Sequence, residues 1–335
     1  MRSELTIDLG ALRANVRRLL RAAEGAELWA VVKADGYGHG ALDGGRAALD
    51  EGAAALCVAT VDEALVLRAA LPDARLVVLG PASADEVRSA REARLELVVG
   101  TEIPEDIAVH VKLDTGMGRW GASELPSLTR DVVGVMTHLA TADSDLAFAR
   151  EQLVRFRAAT EGLDVTRHAA NSAATLRLPE SRLDAVRCGI ALYGLSPFGT
   201  DAADDGLAPV LSWRSEVALA KLLRPGESTG YGRRFVAERP TWVGIVPVGY
   251  ADGFRRDLSG AEVLVDGERR RVVGTVSMDA LAVELEREVP AGTPVTLVGD
   301  GVTLDEHARV AGTIGYELAC GIGQLARGDR AVIGG

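Results

Sequence analysis

Cysteine and aromatic residues are scarce in this chain of 335 residues, and each scarcity excludes a class of protein. The three cysteines, Cys57, Cys188 and Cys320, are odd in number and widely spaced. Such a set forms neither a disulfide framework nor a CxxC metal signature, so we expect a reducing compartment. Aromatic residues make up 4% of the chain. Small apolar residues and glycine are plentiful, which is typical of repeated strand–helix units packed with small side chains.

The chain also lacks long apolar runs and an excess of positive charge. No apolar run reaches the length of a membrane span. The opening segment MRSELTIDLGALRAN contains no run long enough for a signal peptide, so we expect a cytoplasmic protein. Lys and Arg number 37 against 48 Asp and Glu, which gives a net charge of -11. This charge argues against nucleic acid or an anionic membrane as the partner.

Strand-like and helix-like segments alternate over the first part of the chain, after a short strand at 5–8 and a helix at 9–22. Eight parallel strands that alternate with helices predict a closed (β/α)8 barrel of the TIM type, or failing that an open doubly wound sheet. The connection 100–109 has room for only a turn, and 120–132 has room for a helix of about two turns. The predicted strands are 28–33, 55–60, 76–80, 96–100, 109–113, 132–138, 165–168 and 185–187, with helices at 42–50, 62–70, 84–93 and 144–160.

From about Leu211 the pattern becomes mostly β, and helix-period segments become rare. Asp266-Gly267 lies at the centre of a predicted hairpin turn. We therefore predict a barrel over residues 9–207 and a β-rich C-terminal domain over residues 208–335, which also takes in the strand within residues 1–8. The boundary falls near 202–209, which reads as an exposed linker. The predicted strands of this domain are 211–221, 241–248, 261–265, 271–273, 281–285 and 294–298.

Residues capable of chemistry lie where the predicted barrel strands end. Lys33 ends the first strand and precedes the glycine-rich loop GYGHG. Arg119 follows the fifth strand, His138 ends the sixth, His168 the seventh and Arg187 the eighth. Each residue alone has a structural explanation, such as a surface charge or a hydrogen bond at the barrel rim. Because the carboxyl ends of barrel strands converge on one face, where active sites are built, their joint placement favours a functional site.

The residues at these strand ends fit some kinds of functional site better than others. The chain has no HExxH motif, no cysteine cluster and no GK[ST] ending on the glycine loop, so a zinc site and a Walker-type phosphate loop are poorly supported. A lysine at a strand end fits a Schiff-base enzyme, because burial or neighbouring cations lower the lysine pKa and free the amine to react. Asn171-Ser172, at the start of a short helix, and Gly189-Ile190 offer backbone N–H groups for a phosphate.

The segment VVKADGYGHG around Lys33 resembles the cofactor-lysine motif of the alanine racemase family, the barrel-type pyridoxal-phosphate enzymes. Further similarity to that family spans nearly the whole chain and follows the family's order. The resemblance implies a pyridoxal-phosphate barrel followed by a β domain, in agreement with the predicted elements. The additional motifs are DTGMGRWG at 114–121, THLATAD at 137–143, HAANSAA at 168–174, VRCGIALYGL at 186–195, VPVGYADG at 246–253, VGTVSMD at 273–279 and TIGYELAC at 313–320.

The resemblance implies a role for each matching residue. Lys33 would bind pyridoxal 5'-phosphate covalently and act as one catalytic base. Tyr250 would be the second base and would act on the cofactor of the other subunit of a homodimer. Arg187 would hydrogen-bond the pyridine nitrogen. The other implied sites are Tyr37, Ser172, Gly189, Ile190 and Tyr316 for the phosphate, His138, His168 and Asn171 around the cofactor, Arg119 and the backbone at Met278 for the substrate carboxylate, and a carbamylated Lys112.

Arg187 also bears on the type of reaction. Arginine stays protonated, so it cannot hand the cofactor ring a proton as an Asp or Glu would. The ring then remains a weaker electron sink, which disfavours side reactions such as transamination. Racemisation needs a base on each face of the planar α-carbon, and Lys33 and Tyr250 would supply these two bases.

The implied function is the interconversion of L- and D-alanine by a homodimer, which supplies D-alanine for peptidoglycan precursors. A racemase for serine or for larger, basic amino acids remains open, because one sequence does not fix the side-chain pocket. A non-catalytic pyridoxal-phosphate carrier would have neither a second base nor a β domain. A barrel decarboxylase would place an acidic residue at the pyridine nitrogen. Trp120 departs from the family, which usually has an aliphatic residue at this position.

Overall fold

The computed structural model describes residues 2–334. Contacts within the chain divide it into two compact units. We call Leu12–Ala208 the barrel unit, and the segments up to Ala11 and from Pro209 onward together the β unit. The chain opens with strand β1 (Ser3–Asp8), which lies in the β unit, and continues with helix α1 (Leu9–Ala23).

The eight strands predicted in the barrel unit all form, and they close on themselves. Strand pairing follows chain order and is parallel throughout. The last strand pairs with the first, with Glu27 opposite Ala185 and Trp29 opposite Arg187. The closed barrel is therefore confirmed, and the open doubly wound sheet is wrong. The strands are β2 (Glu27–Val31), β3 (Ala55–Val58), β4 (Leu76–Val78), β5 (Glu96–Val99), β6 (Val109–Lys112), β7 (Val132–Met136), β8 (Thr166–His168) and β9 (Ala185–Cys188).

Helices connect many of these strands, and the four predicted between 42 and 160 are confirmed to within about two residues at each end. Two of them begin with a capping box, in which Thr60 exchanges hydrogen bonds with Glu63 and Ser83 with Glu86. The helical elements are α2 (Lys33–Tyr37), α3 (Ala41–Asp50), α4 (Val61–Ala70), α5 (Ala84–Glu92), α6 (Leu146–Ala159) and α7 (Ser172–Arg177), with 3-10 helices at Pro179–Ser181, Ile190–Tyr193 and Ala202–Asp205.

The connection that follows β6 contains no helix. Residues 120–132 have room for a helix of about two turns, but none forms between Leu113 and Asp131. The segment after β6 instead folds back on the strand. Ala122 donates its N–H to the Lys112 carbonyl, and Asp114 donates to the Ala122 carbonyl, both at 2.8 Å. Backbone hydrogen bonds satisfied in this way remove the need for a helix and fix the loop at the barrel rim.

The barrel interior contains polar groups where apolar side chains usually fill such a core. His110 and Lys112 of β6, His168 of β8 and Arg187 of β9 are all buried. Buried charged and imidazole groups are costly unless they are hydrogen-bonded or have a task. Their concentration inside one barrel marks its interior as the region to inspect for function.

The β unit is built on a nine-stranded sheet in the order β11-β14-β17-β16-β15-β18-β10-β1-β19. The predicted strand 211–221 is in fact two strands, β10 and β11, and two helices that the sequence pattern did not predict lie near the end of the chain. The elements are β10 (Leu211–Glu216), β11 (Leu219–Leu223), β12 (Ser228–Thr229), β13 (Phe235–Val236), β14 (Thr241–Val246), β15 (Glu262–Val265), β16 (Glu268–Val273), β17 (Leu281–Leu285), β18 (Pro294–Val298), α8 (Leu304–Ala311), α9 (Gly315–Leu325) and β19 (Asp329–Ile333), with 3-10 helices at Tyr231–Arg233, Tyr250–Asp252 and Arg256–Leu258.

The predicted Asp-Gly hairpin is confirmed. Val265 of β15 pairs with Glu268 of β16 across a two-residue loop. Asp266 and Gly267 have φ of 52° and 79°, as a turn that matches the twist of its strands requires. No helix within residues 2–334 is both long and apolar enough to cross a membrane.

Candidate active site

Lys33 opens a left-handed turn directly after strand β2. Ala34, Asp35 and Gly36 have (φ, ψ) of (53°, 49°), (50°, 49°) and (63°, 41°), and Tyr37 has φ of 53°. A left-handed backbone costs a residue with a Cβ atom about 1–2 kcal/mol. Strain of this kind persists where the surroundings hold it, and it clusters at ligand sites. The glycine-rich loop predicted after Lys33 thus begins with a strained left-handed turn.

Glu63, the capping residue of α4, holds the start of this turn. Its Oε1 accepts the Ala34 N–H at 2.7 Å. Its Oε2 accepts the N–H groups of Ala59 and Thr60, at 2.7 Å and 3.3 Å. One carboxylate thus joins the ends of β2 and β3. The Thr-x-x-Glu spacing predicts a helix start, but nothing in the sequence indicated that Glu63 reaches the residue after Lys33.

Tyr37, Ser172 and Gly189 form a small polar cluster at the ends of β2, β8 and β9. The Gly189 N–H donates to Ser172 Oγ at 3.0 Å. A Cβ atom on Gly189 would lie 2.4 Å from the Tyr37 hydroxyl oxygen, so any larger residue at 189 would displace the Tyr37 ring. Asn171 caps α7 by accepting the Ala174 N–H at 3.0 Å, and Ile190 begins the adjoining 3-10 helix. Hydroxyls, a side-chain-free backbone and helix starts are the donor set that a phosphate requires.

Arg187 is almost fully buried and uses both terminal nitrogens within the protein. Nη1 donates to His168 Nδ1 at 2.8 Å. Nη2 donates to the carbonyls of Thr137 and Ala169, at 2.9 Å and 3.1 Å, and lies 3.4 Å from His138 Nδ1. Burial lowers the pKa of Arg187 to about 10, which still leaves it protonated at neutral pH. Its Nε makes no hydrogen bond to any described residue, so this N–H is available to a ligand.

His168 and His138 both contact Arg187, but they differ in setting. His168 is fully buried, and burial together with Arg187 holds its pKa well below the usual value. Burial and the neighbouring cations, Arg187 first among them, lower the pKa of His138 to about 3. Both imidazoles are therefore neutral at physiological pH, and their ring nitrogens can accept hydrogen bonds from Arg187.

Three residues that the sequence did not single out continue this contact deeper into the barrel. His168 Nε2 lies 3.0 Å from His110 Nδ1. His110 Nε2 lies 2.7 Å from Glu96 Oε2. Arg75 makes two hydrogen bonds to Glu96, at 2.7 Å and 3.0 Å. The sequence could have indicated His110: it lies two residues before Lys112 on β6, and residues two apart on a strand face the same side. Glu96 and Arg75 could not be placed without the barrel.

Arg119 lies in the loop after β6, where the Trp120 ring contacts two cations. The Arg119 guanidinium carbon lies 4.4 Å from the centre of the Trp120 ring, and Lys112 Nζ lies 5.2 Å from the same centre. Lys112 is buried, and burial, Arg119 and Arg187 lower its pKa to about 8. Asp114 fixes the preceding turn by accepting N–H groups from Gly116, Met117 and Gly118. Trp120 thus contacts one cation of this loop, Arg119, and one at the end of β6, Lys112.

Tyr250, Met278 and Tyr316 belong to the β unit, where the first two lie together. Tyr250 donates its N–H to the Ser277 carbonyl, and Ala251 donates to the Met278 carbonyl, both at 3.0 Å. A Cβ atom on Gly249 would lie 2.4 Å from the Met278 carbonyl oxygen, which explains the glycine. Tyr316 is carried by α9, which packs against the same turn at Gly253.

Asp252 secures the turn that presents Tyr250. Its carboxylate is fully buried and accepts the Gly249 N–H at 2.9 Å. Arg2 and Arg327 each form an ion pair with it, at 3.1 Å and 2.8 Å. Within residues 2–334, no group of three or more His, Cys, Asp or Glu side chains is arranged to hold a metal ion.

Comparison with known protein families gives two matches that together cover most of the chain. Residues 7–197 match the model of the alanine racemase N-terminal domain, and residues 210–330 match that of the C-terminal domain. The chain is 40% identical over 356 residues to an alanine racemase of Lactiplantibacillus plantarum, a match that covers 96% of this chain and 95% of the relative.

Solved structures of the same kind superpose closely. An alanine racemase from Streptomyces coelicolor is 38% identical with a TM-score of 0.91, and the match covers 100% of this chain and 98% of that one. An alanine racemase from Streptomyces lavendulae, a producer of D-cycloserine, is 36% identical with a TM-score of 0.91 and the same coverage.

Proposed function

Because the chain belongs to the alanine racemase family, we propose that it interconverts L- and D-alanine with pyridoxal 5'-phosphate held by Lys33. The observation that carries this proposal is the environment of Arg187. It is a buried, permanently charged donor whose Nε has no partner among the described residues. An arginine at the pyridine nitrogen leaves the ring a weaker electron sink, which favours racemisation over transamination, whereas a decarboxylase of this fold would place a carboxylic acid there.

The residues of the barrel unit fit this cofactor. Lys33 supplies the amine at a strand end, and Tyr37, Ser172, Gly189 and Ile190 supply hydroxyl and backbone donors of the kind a phosphate needs. Asn171 and the buried imidazoles of His138 and His168 complete the set. When bound, the cofactor delocalises the charge left on the α-carbon after proton removal. Tyr316 of the β unit is a further phosphate ligand in this proposal.

Two groups move the proton, one on each face of the α-carbon. Lys33 is one of them. Tyr250 of the partner subunit is the other, so the working form is a homodimer with shared sites. Arg119 and the backbone around Met278 hold the substrate carboxylate, since a guanidinium binds a carboxylate with two parallel hydrogen bonds. The family membership supports these roles, a cytoplasmic location and the supply of D-alanine for peptidoglycan precursors.

Lys112 is proposed to carry a carbamate, formed when its neutral amine adds to carbon dioxide and releases a proton. Burial and the neighbouring arginines lower its pKa to about 8, so the reactive neutral amine is far more populated than in an ordinary lysine, above all near pH 8. A carbamate would place a negative charge between Lys112 and Arg119. Intact-protein mass spectrometry near pH 8, with added bicarbonate, should show an acid-labile mass increase that is absent from a Lys112→Ala variant. An unmodified mass under these conditions would contradict the modification.

Two other functions remain as alternatives. A racemase for serine or for basic amino acids would use the same groups and differ only in the side-chain pocket. A pyridoxal-phosphate carrier would need no second base, and the match over residues 210–330, which includes Tyr250, counts against it. Comparing kcat/KM for alanine, serine and lysine separates the racemases, since a pocket discriminates by differential transition-state binding.

The central experiment incubates the purified protein, loaded with pyridoxal phosphate, separately with L-alanine and D-alanine in deuterated water. We expect inversion of each enantiomer with deuterium incorporated at the α-carbon. Lys33→Ala should abolish both reactions. Tyr250→Phe should abolish proton removal from one enantiomer, the L form by analogy with the family. A protein that binds the cofactor but exchanges no α-proton would refute the racemase and favour the carrier.

A further inference from the structure

We propose that Glu96 and Arg75, at the amino-terminal ends of the barrel strands, are positioning residues for Arg187. They act through a single hydrogen-bonded chain, Arg187–His168–His110–Glu96–Arg75. The chain fixes the tautomer of both imidazoles and thereby the orientation of the Arg187 guanidinium. The tautomer assignment follows from geometry alone. Its effect on catalysis rests on the proposed function of Arg187.

The two ends of the chain determine every proton between them. The guanidinium of Arg187 can only donate, and an ionised Glu96 can only accept. His168 Nδ1, 2.8 Å from Arg187 Nη1, must therefore be unprotonated, so His168 carries its proton on Nε2. That proton is donated to His110 Nδ1 at 3.0 Å. His110 then carries its own proton on Nε2 and donates it to Glu96 at 2.7 Å.

Any other protonation pattern leaves two donors facing each other. A doubly protonated His168 would direct an N–H at Arg187, and a doubly protonated His110 would direct one at the His168 N–H. Both histidines are fully buried, where an unsatisfied donor costs about 1–3 kcal/mol. Burial also lowers the pKa of both imidazoles, in agreement with two neutral rings.

Glu96 is kept ionised so that the chain has a fixed acceptor end. Burial opposes its ionisation, but hydrogen bonds from His110 and Arg75 hold its pKa down at about 2. Arg75 is itself anchored, because its guanidinium lies 4.6 Å from the centre of the Trp29 ring. The same ring also contacts His168 and His110, at centroid distances of 4.5 Å and 5.3 Å.

Strand β7 leaves space for the hydrogen-bonded chain of side chains. A Cβ atom on Gly134 of β7 would lie 2.1 Å from His110 Nδ1 and 2.9 Å from the Thr166 carbonyl. Any larger residue at 134 would displace the imidazole from the position in which it bridges His168 and Glu96. The glycine thus makes room for a hydrogen-bonded ring where a barrel core would ordinarily be filled by an apolar side chain.

Nitrogen-15 NMR of histidine-labelled protein, first without added cofactor, tests the chain directly. In the wild type we expect His168 and His110 to be neutral Nε2–H tautomers at pH 7. A protonated ring or an Nδ1–H tautomer at either position would overturn the proposal, whatever the enzyme does. This measurement needs no variant and does not depend on activity. A failure of the hydrogen-bonded chain can therefore be distinguished from a failure of the proposed racemase function.

Glu96→Gln tests the effect on Arg187, with Glu27→Gln as its matched control. Glu27 also accepts a hydrogen bond from Arg75, at 3.2 Å, and one from Trp29, but it does not touch His110. Because a carboxamide can donate as well as accept, the acceptor end of the hydrogen-bonded chain is no longer fixed, so we expect His110 to populate both tautomers in Glu96→Gln and a single tautomer in Glu27→Gln. For the loaded enzyme we expect about a tenfold lower kcat with little change in KM, the lower end of what partners behind a functional histidine contribute.

A Glu96→Gln protein with wild-type tautomers and wild-type kcat would overturn the positioning role. Equal losses in Glu96→Gln and Glu27→Gln would also overturn it, because they would indicate only general destabilisation of this end of the barrel. Glu96→Asp is the conservative variant, and it should recover the single tautomer and part of the lost kcat.

Discussion

The Trp120 side chain contacts two cations of the candidate active site. Its ring contacts Arg119 at 4.4 Å and Lys112 at 5.2 Å, and it lies beside the residue proposed to bind the substrate carboxylate. Arg119 and Trp120 are both exposed, so the stack has to hold a flexible arginine without help from burial. A cation over an indole face contributes about 0.5–1 kcal/mol at an exposed site.

Removing this stack should weaken substrate binding more than chemistry. We expect Trp120→Leu to raise KM for alanine by about two- to fivefold, which corresponds to that energy, with a smaller change in kcat. Trp120→Phe keeps an aromatic face, so its KM for alanine should lie between those of the wild type and Trp120→Leu. Steady-state kinetics with both enantiomers checks this, and an unchanged KM in Trp120→Leu would show that the stack does not position Arg119.

The turn between β2 and α3 depends on a partner from another element. Four consecutive residues, Ala34 to Tyr37, have positive φ, and the Ala34 N–H is held by Glu63 at the start of α4. Glu63 also caps its own helix, so its substitution would mix two effects. Glu86 caps α5 in the same way and accepts only from Ser83, which makes it a matched comparison.

We expect Glu63→Gln to loosen the lysine turn while Glu86→Gln does not. A carboxamide can cap a helix but has only one accepting oxygen, so it cannot hold both Ala34 and Ala59. Hydrogen exchange of the peptide that covers residues 33–40 should accelerate in Glu63→Gln, and the affinity for pyridoxal phosphate should fall. The melting temperatures of the two variants should be similar. Equal exchange rates at 33–40 in both variants would contradict the role of Glu63.

Asp252 gives the β unit a distinct dependence on pH. Hydrogen bonds from Arg327, Gly249 and Arg2 outweigh burial and lower its pKa. A carboxyl group whose pKa is lower in the folded state stabilises the fold above its unfolded pKa, near 4, and loses that contribution as pH falls through the folded value. Asp252→Asn should therefore lower the free energy of unfolding at pH 7. Below pH 4 the difference in that free energy between the variant and the wild type should become smaller. Urea unfolding at both pH values checks this, and a gap that widened in acid would contradict it.

The proposed homodimer makes a prediction that no single subunit can satisfy. Lys33→Ala and Tyr250→Phe should each inactivate a homodimer. If Tyr250 serves the site of the partner subunit, a mixed dimer contains one intact site and one doubly defective site. Unfolding and refolding an equal mixture yields about half mixed dimers, so we expect about a quarter of wild-type activity. Recovery of no activity, with mixed dimers verified by mass, would place both bases in one chain.

The sequence by itself determined the order of elements and most of the candidate residues. Strands such as β4 and β7 are short apolar runs, and such a pattern is local, so it can be recognised without the fold. The Asp266-Gly267 turn followed from backbone preference alone. The motif around Lys33 identified the family before any geometry was known. The backbone pairing of Ala122 with Lys112, which fixes the loop after β6, could not be predicted from local pattern because it joins residues ten apart without a regular element between them.

Only the tertiary structure decided which polar residues act together inside the barrel. Arg75 immediately precedes β4, Glu96 begins β5 and His110 lies on β6, and no local pattern joins them to Arg187. Closure of the barrel pairs β9 with β2 and directs side chains from all these strands into one interior. There, burial removes water as an alternative partner, so each donor must find an acceptor within the protein. The left-handed turn at Lys33 has the same origin, because local preference opposes it and a distant carboxylate, that of Glu63, holds its first residue.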